Sequence, residues 1–149
     1  MSSKKINFKQ LLSIVVICVF CGLQTNGQSN KKIAYSYIKK ANAAIEESID
    51  YAEALINFNK AMEYMDVITD KNVASLGARS YYEIHHKQRT IERQIKFLEI
   101  SNKYSKQYFA LAKNKNSNDY LDNLELFAHA KSDLRKLKFA LRKKRMSKF

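Results

Sequence analysis

The chain contains no proline, and its only glycines are Gly22, Gly27 and Gly77. Tight β-hairpins depend on Asn-Gly or Asp-Gly turns, and neither pair occurs after residue 27. Helix formers such as Ala, Leu, Lys and Glu make up much of the remaining sequence. Because strands would have few turns to connect them, we expect an all-α protein.

The stretch from Asp50 to Met65 carries a strong helical pattern. Asp50 is a favourable N-cap, and Glu53, three positions later, completes a capping-box pattern. Apolar residues then share one helix face: Ala54, Leu55, Phe58, Ala61, Met62 and Met65. Two alanines seven positions apart, with an aromatic ring between them, predict a helix that its neighbour crosses closely. We expect this helix to run to about Ile68.

Small, aromatic and small residues at this spacing resemble the second helix of a tetratricopeptide repeat, whose period is roughly 34 residues. The preceding segment, a predicted helix over residues 29–48, resembles the first helix of such a repeat. The resemblance assigns seven residues here to repeat packing: Ile38, Ala41, Ile45, Tyr51, Ala54, Phe58 and Ala61. The chain departs from the family in lacking a closing proline, and an ordinary helical hairpin remains the alternative.

A second repeat is expected to begin with a helix near Asn72. Leu76 and Gly77 form a pair that the family uses in its first helix, and they lie about 35 positions after Ala41. Gly77 lowers helix propensity by about 1 kcal/mol relative to alanine, which indicates a packing requirement. The resemblance therefore implies about two degenerate repeats over residues 28–113, folded as antiparallel helical hairpins.

The helix from Asn72 is expected to break within residues 86–90, where Thr90 can cap a fourth helix ending near Lys113. The inward residues of that helix are predicted to be Leu98, Ser101, Ser105, Tyr108 and Phe109. The polar run 114–118 is the clearest loop in the chain.

The region 114–149 is expected to form a long amphipathic helix with a basic tail, capped by Ser117 or Asn118. Its predicted apolar stripe consists of Tyr120, Leu124, Phe127, Ala130, Leu134, Leu137 and Leu141. We expect the early part of this C-terminal helix to cap the open end of the repeats.

Residues 1–27 have the pattern of a secretory signal peptide. Three lysines precede an apolar run, residues 11–23, whose length of about 13 is typical of a signal sequence and short of the ~20 needed to cross a bilayer. The polar residues 24–27 then favour cleavage before Gln28. We expect an exported protein, periplasmic or extracellular. The alternative is an inner-membrane anchor formed by residues 11–23.

Both cysteines, Cys18 and Cys21, lie inside this N-terminal segment. A cleaved chain would therefore contain no disulfide, and its packed core alone would stabilise it. A signal segment followed by a lysine- and asparagine-rich helical chain resembles exported repeat proteins of the Bacteroidetes group.

No pattern of catalytic residues is evident in the sequence. The three histidines are His85, His86 and His129, and adjacent helical residues point about 100° apart, so the first two do not form a chelating pair. Glycine-rich phosphate loops and serine elbows are also missing from the sequence. We expect a protein that is not an enzyme and uses no cofactor or metal.

The net charge of +13 favours anionic partners. From Lys131 to Phe149 there are nine Lys or Arg and one acidic residue, Asp133. One hypothesis is that this segment docks on an anionic surface, with Lys138, Arg142, Lys143, Lys144 and Arg145 as the contacts. A solvated helix end is the alternative, and nucleic acid is the less favoured partner because export would separate the two.

The family resemblance implies a second function, protein or peptide binding. In tetratricopeptide proteins the first helices of successive repeats line a concave surface. The candidate contacts here are Tyr37, Asn42, Arg79, Tyr81 and Glu83, and packing at the edge of the core is the alternative role for either tyrosine. Because solenoids usually need three or more repeats for stability, self-association is a further expectation.

Overall fold

The computed structural model describes residues 29–147, which contain five α-helices and no strand. Helix α1 covers residues 29–48 of this range. The others are α2 (Tyr51–Met62), α3 (Lys71–His85), α4 (Ile91–Leu111) and α5 (Asn118–Met146). The expected all-α fold is confirmed. The predicted signal peptide and the candidate anchor lie outside the described residues.

Side-chain caps begin four of the five helices, and Asp50, Thr90 and Ser117 cap α2, α4 and α5 as the sequence predicts. Asp50 Oδ1 accepts hydrogen bonds from the backbone N–H groups of Ala52 and Glu53, at 2.9 and 3.0 Å. Thr90 Oγ1 accepts from the N–H of Arg93 at 3.2 Å, and Ser117 Oγ accepts from that of Tyr120 at 3.3 Å. The predicted break between α3 and α4 is therefore confirmed.

In the predicted capping box, the Glu53 side chain would pair with the backbone N–H of Asp50, but this N–H has another partner. The N–H of Asp50 donates to the carbonyl oxygen of Ala44 at 2.9 Å, and that of Ile49 donates to Ile45 at 3.0 Å. The bond from Ile49 is the 5→1 bond of an αL C-cap that ends α1, with Ile49 in the left-handed region at φ 54°. Because the Asp50 N–H is satisfied there, the side chain of Glu53 is not needed to pair it.

Helix α2 ends at Met62, so the expectation that it reaches Ile68 through Met65 is wrong. The N–H groups of Glu63 and Tyr64 donate to carbonyls three residues back, which tightens the last turn. Ile68 is then buried, at 7% exposure, and its carbonyl accepts from Gln107 Nε2 at 3.3 Å.

The core forms around the ring of Phe58, which is fully buried with Ala54 and Ala61 on either side. Gly77 of α3 lies directly against this ring, and a Cβ added at Gly77 would come within 3.0 Å of three ring carbons. The ring also meets Tyr104 edge-on, with centroids 5.1 Å apart. Helices α2 and α3 therefore cross closely because residue 77 has no side chain.

Of the nine residues assigned to repeat packing, seven are buried: Ile38, Ala41, Ala54, Phe58, Ala61, Leu76 and Gly77. Ile45 and Tyr51 are half-buried at the edge. Small residues lie in the contact between α3 and α4, where Ser80, Ser101 and Ser105 are all fully buried. Ser101 Oγ donates to the carbonyl of Ala78 at 2.8 Å across that contact.

Helix α5 packs against α3 and α4. Its rings of Tyr120 and Phe127 lie 5.1 and 5.7 Å from that of Phe109. Leu124 is 46% exposed, so its place in the predicted apolar stripe is wrong. The buried position is Asn123, about 100° away around the helix, because its side chain pairs with α3.

Candidate functional site

A cleft of about 330 Å³ opens where α1, α3 and α5 lie side by side. Its lining consists of Asn42, Ile45 and Glu46 from α1, Asn72, Ser75, Leu76 and Arg79 from α3, Asp119, Asp122 and Asn123 from α5, and Tyr108 from α4. We call this surface the cleft. Most of its lining residues are amides, hydroxyls or charged groups, so it is a polar site with a small apolar part.

Polar contacts between α3 and α5 hold one wall of the cleft in place. Ser75 Oγ donates to Asn123 Oδ1 at 2.9 Å, and Asn123 Nδ2 donates to the carbonyl of Asp119 at 2.8 Å. Lys71 Nζ lies 3.4 Å from Asp119 Oδ2, which also joins α3 to α5. These contacts explain why a polar residue, Asn123, occupies the buried face of α5.

Tyr108 is only 1% exposed, and it lines the cleft from below. Its hydroxyl has no hydrogen-bond partner among residues 29–147. Burial raises the pKa of this phenol, Lys71 opposes the increase, and the nearby Asp119 adds to it. An unpaired buried hydroxyl costs about 1–3 kcal/mol, so a ligand group that pairs with it would gain that energy.

The charge of the cleft differs from that of the whole chain. Three carboxylates, those of Glu46, Asp119 and Asp122, line it together with one guanidinium, that of Arg79. Because the chain as a whole carries a net charge of +13, the cleft is a locally acidic region on a basic protein.

The structure places two of the five predicted partner contacts, Asn42 and Arg79, in the cleft. The ring of Tyr37 instead stacks on that of Tyr64, with centroids 6.2 Å apart. Tyr81 packs against Phe58 and Tyr104, and its hydroxyl donates to Asn59 Oδ1 at 2.8 Å. Glu83 is half-buried and does not line the cleft.

Arg79 and Tyr81 lie in different surroundings because of the geometry of α3. Residues two apart on a helix point about 200° apart, so Arg79 and Tyr81 face opposite sides. The first faces the cleft, and the second faces the hairpin partners α2 and α4.

The sequence did not indicate Glu46, Tyr108, Asp119, Asp122 or Asn123 as site residues. Tyr108 was expected to face inward, and it does. The signal that it also lines a cleft would have been the acids and the amide in the first turns of α5, opposite Asn72 and Ser75 of α3. Recognising it requires knowing that α5 lies beside α3.

The basic end of α5 forms a separate surface. Residues 142–147 are all exposed. Phe139 and Met146 are 71% and 70% exposed beside the basic residues. Lys138 differs from the other four predicted contacts with an anionic surface, because its Nζ forms an ion pair with Glu99 Oε1 of α4 at 2.7 Å.

The histidines lie apart from the cleft. Nδ1 of His85 contacts the carbonyl oxygen of Tyr82, and Nε2 of His129 lies 4.0 Å from Glu125 Oε1. Across residues 29–147, no group of three His, Cys, Asp or Glu side chains is placed to hold a metal ion. In the same range, no helix is both long and apolar enough to cross a membrane.

No known protein family matches the chain, and no curated protein or solved structure is significantly similar to it.

Proposed function

We propose that the chain is an exported, non-enzymatic, tetratricopeptide-like interaction module that binds a polypeptide segment in the cleft. The observation that carries this proposal is the polar lining of the cleft, which includes Tyr108, whose buried hydroxyl has no partner in the described structure. A ligand that supplies a hydrogen-bonding group at this position removes the cost of leaving the hydroxyl unpaired.

The lining of the cleft suits a polypeptide. An extended backbone carries both N–H donors and carbonyl acceptors, and an amide side chain provides both complements. Asn42 and Asn72 are exposed on neighbouring helices of the cleft, α1 and α3. Ile45 and Leu76 add apolar surface for a side chain of the ligand.

A peptide-display selection on the full chain tests this proposal. Asn42→Trp places a large ring in the cleft and should weaken a selected peptide by about tenfold or more. Tyr108→Phe removes one oxygen atom only, and the loss of one hydrogen bond should weaken binding about fivefold.

Lys96→Trp is the matched control, because Lys96 is exposed on α4 and does not line the cleft. It should leave the affinity unchanged. Equal affinities for Asn42→Trp and the unaltered chain would overturn the proposal.

A second candidate function is docking of the basic end of α5 on an anionic membrane surface. It is favoured by the exposed Phe139 and Met146 beside residues 142–145. An apolar side chain next to clustered cations suits the interface of an anionic bilayer, where each cation contributes about 1 kcal/mol.

Sedimentation with phosphatidylglycerol vesicles tests this second candidate. The full chain with all four residues of 142–145 changed to Gln should lose most of its vesicle binding. The control changes four exposed lysines elsewhere to Gln and removes the same charge: Lys31, Lys32, Lys87 and Lys96. Equal losses in both variants would show that only net charge matters and would contradict docking by α5.

A further inference from the structure

A second groove, of about 480 Å³, lies between α4 and α5, apart from the cleft. Phe127 and Leu134 of α5, both half-buried, supply its apolar surface. Four lysines surround that surface: Lys103, Lys106, Lys131 and Lys138. We call this surface the lysine groove. Neither the peptide-binding proposal nor the basic tail accounts for it.

The lysines surround the groove because of helical spacing. Residues 99, 102, 103 and 106 share one face of α4, and residues 127, 131, 134 and 138 share one face of α5. Lysine side chains lay their alkyl stems along apolar surface and keep the ammonium groups at the water boundary. Lys131 shows this arrangement, with its Nζ 5.3 Å from the centroid of the Phe127 ring.

The charges at the rim are mostly uncompensated. Lys138 pairs with Glu99, the one acidic residue of the lining, at 2.7 Å. Lys103, Lys106 and Lys131 have no ion-pair partner among residues 29–147. The ion pair of Lys138 therefore lies at one end of the groove, and three ammonium groups remain for an anion.

We propose that the lysine groove binds a single-chain amphiphile with an anionic head group, such as a carboxylate on a hydrocarbon tail. The apolar surface of Phe127 and Leu134 accepts the tail, and the three uncompensated ammonium groups hold the head. The lining of α4 spans eight residues, 99–106, or about 10 Å along the helix axis, which sets the length of tail that the groove covers.

The groove suits a free amphiphile better than other anions. Nucleic-acid strands need exposed aromatic faces for base stacking, whereas Phe127 is half-buried with its ring edge-on to Phe109 at 5.7 Å. Bilayer binding uses protruding apolar side chains, and Phe127 and Leu134 instead line a recess.

The test is a titration of the isotope-labelled full chain with decanoate, followed by backbone amide chemical shifts. We expect saturable shifts at Asn102, Lys103 and Leu134, which line the groove, and no saturable shift in the cleft. Changing Lys103, Lys106 and Lys131 to Gln together should weaken decanoate about tenfold or more. Shortening the tail by two carbons should weaken binding by about the same factor.

The control variant changes Lys87, Lys96 and Lys113 to Gln, which removes the same charge from exposed positions outside the groove. It should keep the affinity within about twofold. A decyl chain with a trimethylammonium head, which has the same tail and opposite charge, should not bind.

Four results would overturn the proposal: equal weakening in the control variant, equal binding of the cationic amphiphile, shifts that map outside the groove, or no saturable shift. Binding to phosphatidylglycerol vesicles that is unaffected by the three groove substitutions would assign lipid contact to another surface. None of these outcomes depends on whether the cleft binds a peptide.

Discussion

Replacing Gly77 by alanine should destabilise the protein, even though alanine is the better helix former. A Cβ at this position would lie 2.9 Å from Phe58 Cε2 and closer still to Cζ, whereas carbon atoms pack at about 3.5–4.0 Å. The ring has no room to move, because Phe58 is fully buried and packs edge-on against Tyr104 and Tyr81. Either α3 must shift or the ring must leave its preferred rotamer.

Two opposing effects decide the magnitude. Overpacking of a well-packed core costs about 1–3 kcal/mol, and the full contact with the Phe58 ring places Gly77→Ala near 3. The gain in helix propensity is about 1 kcal/mol. We therefore expect the free energy of unfolding to fall by about 2 kcal/mol, which corresponds to a decrease in Tm of about 6 °C for a chain of this size.

Urea unfolding followed by circular dichroism measures this change. Lys96→Gly and Lys96→Ala, at an exposed position of α4, give the intrinsic glycine–alanine difference in the same protein. Phe58→Leu frees space at the contact, so adding Gly77→Ala to it should cost less than in the native background, with a coupling of about 1 kcal/mol or more. Stabilisation by Gly77→Ala equal to the Lys96 difference would refute the close-crossing argument.

Three further predictions concern helix ends and alkaline stability, each measured by urea unfolding. Ile49→Gly should raise the free energy of unfolding by about 1 kcal/mol, because Ile49 occupies the left-handed region and its side chain is 72% exposed. The control Ile56→Gly, at an exposed site inside α2, should lower the free energy of unfolding. A change of the same sign in both variants would contradict the prediction. Asp50→Ala should lower the free energy of unfolding by about 1 kcal/mol through loss of two cap hydrogen bonds, with Asp66→Ala as a near-neutral control. Burial raises the pKa of Tyr104 above 10.0, so the stability it contributes is complete below pH 10 and is lost as the pH rises above it. Tyr104→Phe should therefore show a smaller decline between about pH 9 and about pH 11, and an equal decline would argue against a buried phenol at this position.

Local signals in the sequence predicted much of the fold. Thr90 and Ser117 lie at helix starts because their side chains satisfy backbone N–H groups within three residues, and such short-range chemistry can be read from the sequence. Gly77 was identified as a packing residue because glycine in a helix is unfavourable unless space is short. These features depend on few neighbours.

The errors arose where distant residues decide the local structure. Beyond the early end of α2, the carbonyl of the buried Ile68 accepts a hydrogen bond from Gln107, 39 positions away. Leu124 was placed on the buried face because it is apolar, whereas the buried position is Asn123, which bonds to Ser75, 48 positions away. Helix propensity and hydrophobic periodicity do not predict these contacts.

Only part of the candidate site could be predicted, because the site also depends on contacts between residues that are distant in the sequence. Asn42 and Arg79 were chosen from helices expected to line a concave surface, and both line the cleft. Tyr81 was named a candidate contact with core-edge packing as the alternative, and it packs beside Phe58. The unpaired hydroxyl of Tyr108 depends on four helices meeting at one point, which no single stretch of sequence encodes.

A chemical-shift map of the isotope-labelled chain with a peptide selected by display decides whether the cleft is the binding site. We expect saturable shifts within residues 42–46, 72–79 and 119–123, which contain the lining of the three helical walls of the cleft. Shifts confined to the basic end of α5, or to the outer faces of α2 and α4, would contradict this expectation.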